Sequence, residues 1–357
     1  MQISANVGEW SELYVLLRLL TEQKLYTITQ DLSKNEKLYL PILRILRDET
    51  ENAHIEYKCN SNGFIQLYFN EKFIHGIDTE TLNGFANYIF KSIASERNRN
   101  AKGAFTINKA DEIMNKLQCQ KLKASSAEKA DITMEIHDPF TNYNRICGFS
   151  IKSDIGEPPT LFNASQSTNF KFEVTGLTSS QILKINSIET KGKVKARVRQ
   201  IPNLTFVSTL NQTFHQNLIF VDTQMDKFLA EMIKIYYQEN ITDCAELSDI
   251  VNKRDPLKLE TENIYPHKLK KFLCAVALGL RPTKKWNGLD EANGGYIIVK
   301  TNGEVVAYHL YNRNSFENYL LNNTKFDTPS VTRHRFGKIY SENGKNFINL
   351  NFQIRFK

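Results

Sequence analysis

Ala130-Asp-Ile-Thr-Met-Glu-Ile-His-Asp138 and Arg145-Ile-Cys-Gly-Phe-Ser-Ile-Lys-Ser153, joined by the turn-prone Pro139-Phe-Thr-Asn-Tyr-Asn144, decide the reading of the fold. Successive side chains of a strand point to opposite faces. Ile132, Met134 and Ile136 therefore share one face, and Asp131, Thr133, Glu135 and His137 the other. In the second segment Cys147, Phe149 and Ile151 face the core, while Ser150 and Lys152 lie on the polar side. The two segments are predicted to form an antiparallel hairpin. Pairing them symmetrically about the loop sets Asp131 opposite Lys152 and Thr133 opposite Ser150. A slip of one residue would turn one apolar set to the wrong face.

On an exposed hairpin an Asp–Lys pair is an ordinary surface ion pair of roughly 0 to 1 kcal/mol. The same pair also suits metal-dependent phosphodiester hydrolysis, with a strand carboxylate as Mg²⁺ ligand and a lysine orienting the attacking water. A carboxylate, a gap and a [D/E]-x-K tripeptide on the next strand form the PD-(D/E)XK nuclease pattern, which Asp131 and Ser150-Ile-Lys152 resemble. Ser150 departs from it, standing where Asp or Glu is usual, so a second ligand must come from elsewhere or from water. Upstream, Gly8-Glu-Trp-Ser-Glu12 opens a helix whose stripe is Trp10, Leu13, Leu17 and Leu20. Glu12 lies beside that stripe. It either complements the positive helix N-terminus or reaches the metal, as the glutamate of Gly-x-x-x-Glu does in many nucleases with this core. Glu157, Gln166 and Glu173 are the downstream alternatives.

Outward from the hairpin, apolar residues at three- and four-residue spacing predict helices at 9–22, 41–48, 80–96, 107–118, 225–238, 266–279 and 315–321. Alternation predicts further strands at Phe64 to Phe69, Lys193 to Arg199, Tyr296 to Lys300, Val305 to Tyr311 and Phe347 to Phe356. The chain reads as mixed α/β, with a boundary in the 240–265 region where Asp255-Pro256 and Tyr265-Pro266 punctuate the pattern. With 357 residues, 41% hydrophobic and 24% charged, it has enough apolar material for two domains. The longest apolar run, Phe272 to Leu280, is far short of the about 20 residues of a membrane span. Glu9 and Glu12 precede any apolar segment, unlike a secretion signal. Five widely spaced cysteines without a C-x-x-C exclude disulfide and zinc frameworks and fit a reducing cytoplasm.

The net charge of +7 matters only where it is concentrated. Thr190-Lys-Gly-Lys-Val-Lys-Ala-Arg-Val-Arg199 places Lys191, Lys193, Lys195, Arg197 and Arg199 at period two, so on a strand all five face one way. That is either a solvated edge strand or a phosphate-contacting ridge. From Arg333 onward, Arg333, Arg335, Lys338, Lys345, Arg355 and Lys357 stand against the single acid Glu342. Arg333-His334-Arg335 is either an ordinary basic loop or a source of bidentate contacts to guanine. Lys268, Lys270, Lys271 and Lys284-Lys-Trp286 read as a solvated face or general phosphate contacts.

Taken together, Gly8-Glu-Trp-Ser-Glu12, Lys129-Ala-Asp-Ile132, Gly148-Phe-Ser-Ile-Lys-Ser153 and Thr160-Leu-Phe-Asn-Ala-Ser-Gln-Ser-Thr-Asn-Phe170 resemble the HpaII family of type II restriction endonucleases. Tyr311-Asn-Arg-Asn, Thr328-Pro-Ser, Arg333-His-Arg-Phe-Gly337 and Leu350-Asn-Phe-Gln-Ile-Arg-Phe356 fit the same family, so the likeness spans nearly the whole chain. It implies an α/β PD-(D/E)XK (restriction-endonuclease-like) core, a mixed sheet flanked by helices, with a C-terminal α+β specificity region. In residues, that is a nuclease core at 1–250 holding the 131–152 hairpin and a recognition region at 251–357. It implies a Mg²⁺-dependent endonuclease cutting both strands of a short duplex site, CCGG first among candidates, paired with a protecting methyltransferase in a bacterial host. A palindromic site implies a homodimer. Catalysis then falls to Asp131, Ser150, Lys152 and Glu12, with Asp131 and Glu12 on the metal. DNA contact falls to the Lys191–Arg199 cations, Asn163, Gln166, Arg333, His334 and Arg335. A repair or junction nuclease with this core and a non-catalytic DNA-binding protein remain the rival readings.

Overall fold

The computed structural model describes residues 3–28, 33–60, 62–98, 103–122, 130–139, 141–156, 158–309 and 313–357. Two compact units emerge, Met1–Pro159 with Glu291–Phe316, and Thr160–Asp290 with Glu317–Lys357. The expected 250/251 boundary is thus corrected, since it falls within the helix Cys244–Arg254 of the second unit. Asp255 ends that helix in a left-handed conformation, and its carboxylate accepts from Leu259 N at 2.9 Å and Tyr265 Oη at 2.6 Å. What looked like an interdomain break is a tied helix-to-helix turn.

In the first unit, Asn6 caps the helix Val7–Glu22 in a reciprocal capping box with Glu9. Trp10, Leu13, Leu16, Leu17 and Leu20 are all buried, so this helix is apolar nearly all round and lies within the core. Among the described residues nine strands form its sheet. In spatial order they are Lys24–Ile28, Val305–His309, Gly295–Val299, Tyr143–Ser153, Ile132–Asp138, Lys34–Thr50, Ala53–Asn60, Phe64–Phe69 and Lys72–Asp78. Lys24–Ile28 also pairs with Lys34–Thr50, which closes the first six into a ring. Gly295–Val299 runs parallel to Tyr143–Ser153, which explains why residues 291–316 return to this unit.

The helix expected at 41–48 is a strand, part of Lys34–Thr50. A register shift between Ile42 and Arg44 inserts one residue into the pleat. Ile42 and Ile45 therefore both turn inward at a spacing of three, which mimics a helical stripe.

The second unit holds a three-stranded sheet (Thr160–Phe162, Gln353–Phe356, Thr324–Asp327) and a four-stranded one (Asn203–Thr209, Phe170–Thr175, Lys345–Leu350, Ile339–Glu342). Phe162 stacks against Phe214 and Phe352, and Phe352 against Phe326, at the centre of its core. The strand expected over Phe347 to Phe356 breaks in two at Asn351. That buried side chain accepts from Thr168 Oγ1 at 2.9 Å and Phe352 N at 2.8 Å, and donates to Ser165 O at 2.8 Å and Asn169 Oδ1 at 2.7 Å.

The strand expected at Lys193 to Arg199 is the helix Lys193–Val198, entered through Gly192 at φ +76°. Val194, Arg197 and Val198 form its buried stripe, so the five cations do not make a common ridge. Arg197 is 0% exposed and donates to Gly337 O at 2.8 Å, Ile188 O at 2.6 Å and Glu189 Oε1 at 2.8 Å. Lys195 reaches Asn240 Oδ1, Arg199 reaches Gln238 O, and Lys191 stays exposed. Alternation was compatible with a helix because positions 194, 197 and 198 are the i, i+3, i+4 set. No helix among the described residues is long and apolar enough to cross a membrane. The five cysteines carry no disulfide.

These assignments separate two lysine-to-arginine neighbours sharply. Arg197→Ala leaves two buried carbonyls without a donor and should lower unfolding free energy by about 2 to 4 kcal/mol in urea titration. Lys195→Ala should stay within about 0.5 kcal/mol of wild type; equal effects would contradict the helix.

Candidate active site

The hairpin forms as expected, but its register is shifted by two residues. Asp138 pairs with Tyr143, Thr133 with Gly148 and Ile132 with Phe149. The cause is the turn. Thr141 Oγ1 donates to Asp138 Oδ2 at 2.5 Å, and Asn142 takes φ +52°, so Tyr143 and Asn144 join the strand instead of the loop. An even shift keeps every residue on its face, and only the partners change.

Asp131 thereby comes opposite Ser150 and not Lys152. Its amide donates to Phe149 O at 2.8 Å, extending the ladder by one rung. Its carboxylate oxygen Oδ2 accepts from Ser150 Oγ at 3.0 Å and from Ile151 N at 2.8 Å. Ser150 is 1% exposed. Gly148 makes room for this approach, because a Cβ there would lie 2.7 Å from Ala130 Cβ and 3.1 Å from Glu291 O.

Glu12 and Asp131 line one cleft of about 540 Å³ in the first unit, together with Arg44, Asp48, Glu51, His54, Glu56 and Glu71. Acids outnumber bases there. Arg44 bonds Glu56 Oε1 at 2.7 Å and Glu135 Oε2 at 2.5 Å, and the Glu56 bond foremost raises its pKa. Asp48 and His54 pair at 2.6 Å, which raises the imidazole pKa. Lys152 lies two positions past Ser150 on the same strand face, opposite Ile298 of the neighbouring strand, with Nζ 5.5 Å from the Tyr296 ring centroid. It is not among the cleft-lining residues. Helix and strand meet where the Ser11 and Ser153 hydroxyls hydrogen-bond at 2.9 Å. Each serine adjoins a candidate residue, Glu12 and Lys152 respectively.

Of the alternatives to Glu12, Glu157 lies outside the described residues. Gln166 and Glu173 belong to the second unit, where Glu173 pairs with Lys345 at 3.0 Å. Among the described residues no three His, Cys, Asp or Glu side chains form a metal-binding group. Two carboxylates remain a hard oxygen donor set, sufficient for Mg²⁺, which keeps several of its waters. The acids of 48–56 escaped sequence reasoning because the segment leading to them was read as a helix.

In the second unit the other candidates gather. Gln166 Nε2 donates to Arg333 O at 3.3 Å and Asn169 Nδ2 to His334 O at 2.9 Å, so the Asn163–Asn169 loop and the Arg333–Arg335 turn are one structure. Asn163, Gln166, Arg333 and Arg335 are exposed, while His334 is 9% exposed and its pKa is lowered by burial. Lys345, Arg355 and Lys357 are neutralised by Glu173, Asp327 and Asp243. Lys268, expected on a solvated face, is 5% exposed and bonds Asp222 and Thr223 O.

The model of the HpaII restriction endonuclease family matches residues 6–356. A relative from Haemophilus parainfluenzae, type II restriction enzyme HpaII, is 42% identical over 99% of this chain and 98% of its own. No solved structure matches. A match of this extent makes the protein a type II restriction enzyme, a site-specific deoxyribonuclease acting on DNA. The chain belongs to the HpaII restriction endonuclease family. The readings as a repair nuclease or a non-catalytic binder give way.

Ser150→Ala deletes one of two bonds to Asp131 and leaves the Ile151 amide in place. The expected loss is about 0.5 to 1.5 kcal/mol, so plasmid cleavage should stay within roughly tenfold of wild type. A loss as complete as that from removing Asp131 would put Ser150 itself on the reacting groups.

Proposed function

We propose that the enzyme cuts both strands of a short palindromic duplex site, CCGG, by Mg²⁺-dependent phosphodiester hydrolysis on a PD-(D/E)XK-type site in the first unit. The observation that carries this reading is the shared cleft of Glu12 and Asp131 at the mouth of the hairpin that bears Lys152. A cleft so rich in acids repels a polyanion unless a cation intervenes. Asp131 and Glu12 are the residues that hold the ion. Mg²⁺ bound there supplies Lewis-acid neutralisation of the scissile phosphate and activation of water.

Ser150 Oγ and Ile151 N fix one oxygen of Asp131, which sets the direction of the other. Lys152 orients the attacking water by donating to it and balances charge on the phosphate. The second unit supplies recognition through the joined 163–169 and 333–335 segments, with Arg333 the guanine reader and Asn163 and Gln166 beside it. An Arg fork matches the O6/N7 pair that only guanine presents in the major groove. A palindromic target calls for a homodimer with two-fold related sites. A protecting methyltransferase and a cytoplasmic location complete the reading.

The test is a supercoiled-plasmid digest in Mg²⁺ with sequencing of the ends, where fixed bands ending within CCGG are expected. Lys152→Ala and Asp131→Asn should lose cleavage by at least about a hundredfold while retaining duplex binding. Near-normal turnover in either would remove the site.

Arg333→Ala should weaken binding to a CCGG duplex in Ca²⁺ by about 1 to 3 kcal/mol and change random-duplex binding much less. Equal losses on both would reduce Arg333 to a backbone contact.

A further inference from the structure

The second unit contains a cleft of about 390 Å³ lined by Glu189, Lys193, Arg197, Arg335, Lys338 and Tyr340, among others. Its charges are arranged unusually. The Glu189 carboxylate meets Lys193 Nζ at 2.5 Å, Arg197 Nη2 at 2.8 Å and Lys338 Nζ at 3.4 Å, although its side chain is 52% exposed. Exposed ion pairs stabilise little, because solvent screens them and long side chains lose freedom. Three cations on one exposed carboxylate therefore serve folding poorly, Arg197 apart. Arg197 forms the floor, held by the carbonyls of Gly337 and Ile188.

Arg335 borders the same cleft with its backbone in the left-handed region at φ +52°, a conformation that strains a residue with a side chain. It is exposed and has no hydrogen-bonding or ionic partner among the described residues. The turn that presents it is rigid. Gly337 takes φ +84° where a Cβ would lie 2.6 Å from Val194 Cγ2, and its amide donates to Asn349 O at 2.8 Å. Three cations thus meet one carboxylate and a fourth borders the same cleft, on a protein whose substrate is a polyanion.

We propose that this cleft docks a backbone phosphate of the duplex, and that Glu189 is an internal counter-ion which the phosphate displaces. Carboxylate and phosphate offer the same paired anionic oxygens to lysine and arginine donors. Among the described residues all the partners of the Glu189 carboxylate are cations, so it leaves without breaking a backbone bond. Lys193, Lys338 and Arg335 then turn to the phosphate, and Arg197 remains as a fixed positive floor. The contact carries no base information; it positions the duplex beside the Arg333 turn. This rests on the reading that the second unit contacts DNA.

The test uses the full chain, random and CCGG duplexes, Ca²⁺ and a salt series followed by fluorescence anisotropy, with thermal midpoints recorded for each variant. Glu189→Gln removes the competitor and should bind both duplexes about three- to tenfold tighter at low salt. Lys338→Ala, which alters an exposed side chain, should bind both more weakly and flatten the slope of log K against log salt by about 0.9. Unchanged or weaker binding by a folded Glu189→Gln overturns the proposal, as does an unchanged slope for Lys338→Ala, which decides alone if the first variant does not fold. Silence of both variants in a chain that still prefers CCGG sinks only the phosphate cleft. Failure of the wild type to bind duplex DNA sinks the recognition reading itself.

Discussion

The two hydrogen bonds that converge on Asp131 Oδ2 fix the geometry of the first unit's site. They exist only in the observed register, which the Asp138–Thr141 turn imposes at the far end of the hairpin. The near end is held from the other flank. On the long strand Lys34–Thr50, buried Arg47 pairs with Glu49 and donates to the carbonyls of Lys121 and Leu122. Glu49 Oε2 in turn accepts from the amides of Gln120 and Lys121, each at 3.1 Å. A buried pair whose remaining donors and acceptors are used by the backbone is costly to break from either side. It ties down the chain at residues 120–122.

The cations that sequence reading grouped by spacing are dispersed by the fold: Arg197 into the core, Lys195 onto the Tyr236 ring, Lys268 onto Asp222, and Lys357 onto Asp243. Around the 333–338 turn Arg333, Arg335 and Lys338 stay exposed. The opposite sign prevails in the Glu12–Asp131 cleft. Among charged side chains, the cleft of the first unit is thus lined mainly by acids, and the cleft beside the 333–338 turn of the second mainly by bases.

How far the chain could be read before folding follows from what each signal measures. The hairpin was legible because alternation reports faces directly, and an error of two residues in register leaves faces intact. Glu12 stands out beside Trp10 and Leu13 as a half-buried acid next to the buried Ser11, and it lines the same cleft as Asp131. The 41–48 segment was not, because one bulged residue converts a spacing of two into three. Lys193 to Arg199 misled for the converse reason, as its alternating cations hid a short helix whose buried stripe includes an arginine. The unit boundary was invisible because residues 291–316 rejoin the first sheet through a parallel strand pairing, and nothing local marks that return.

Ser150 raises the question of how a strand position usually held by a carboxylate works with a hydroxyl. Two carboxylates at the 3.0 Å separation of Ser150 Oγ and Asp131 Oδ2 would repel, and one would take up a proton. A serine there donates to Asp131, a hydrogen bond in place of a second carboxylate. In the proposed metal site the second carboxylate comes from a different element and leaves the hairpin undisturbed. The helix Val7–Glu22 answers that geometry, because its Ser11 bonds Val7 O at 2.8 Å and Ser153 Oγ at 2.9 Å and so keys the helix to the strand of Lys152. Glu12 is the next residue after Ser11, and Lys152 the one before Ser153. The buried hydroxyl pair therefore fixes the helix against the strand that bears Lys152, while Lys152 itself, one position before Ser153, points to the opposite face of that strand.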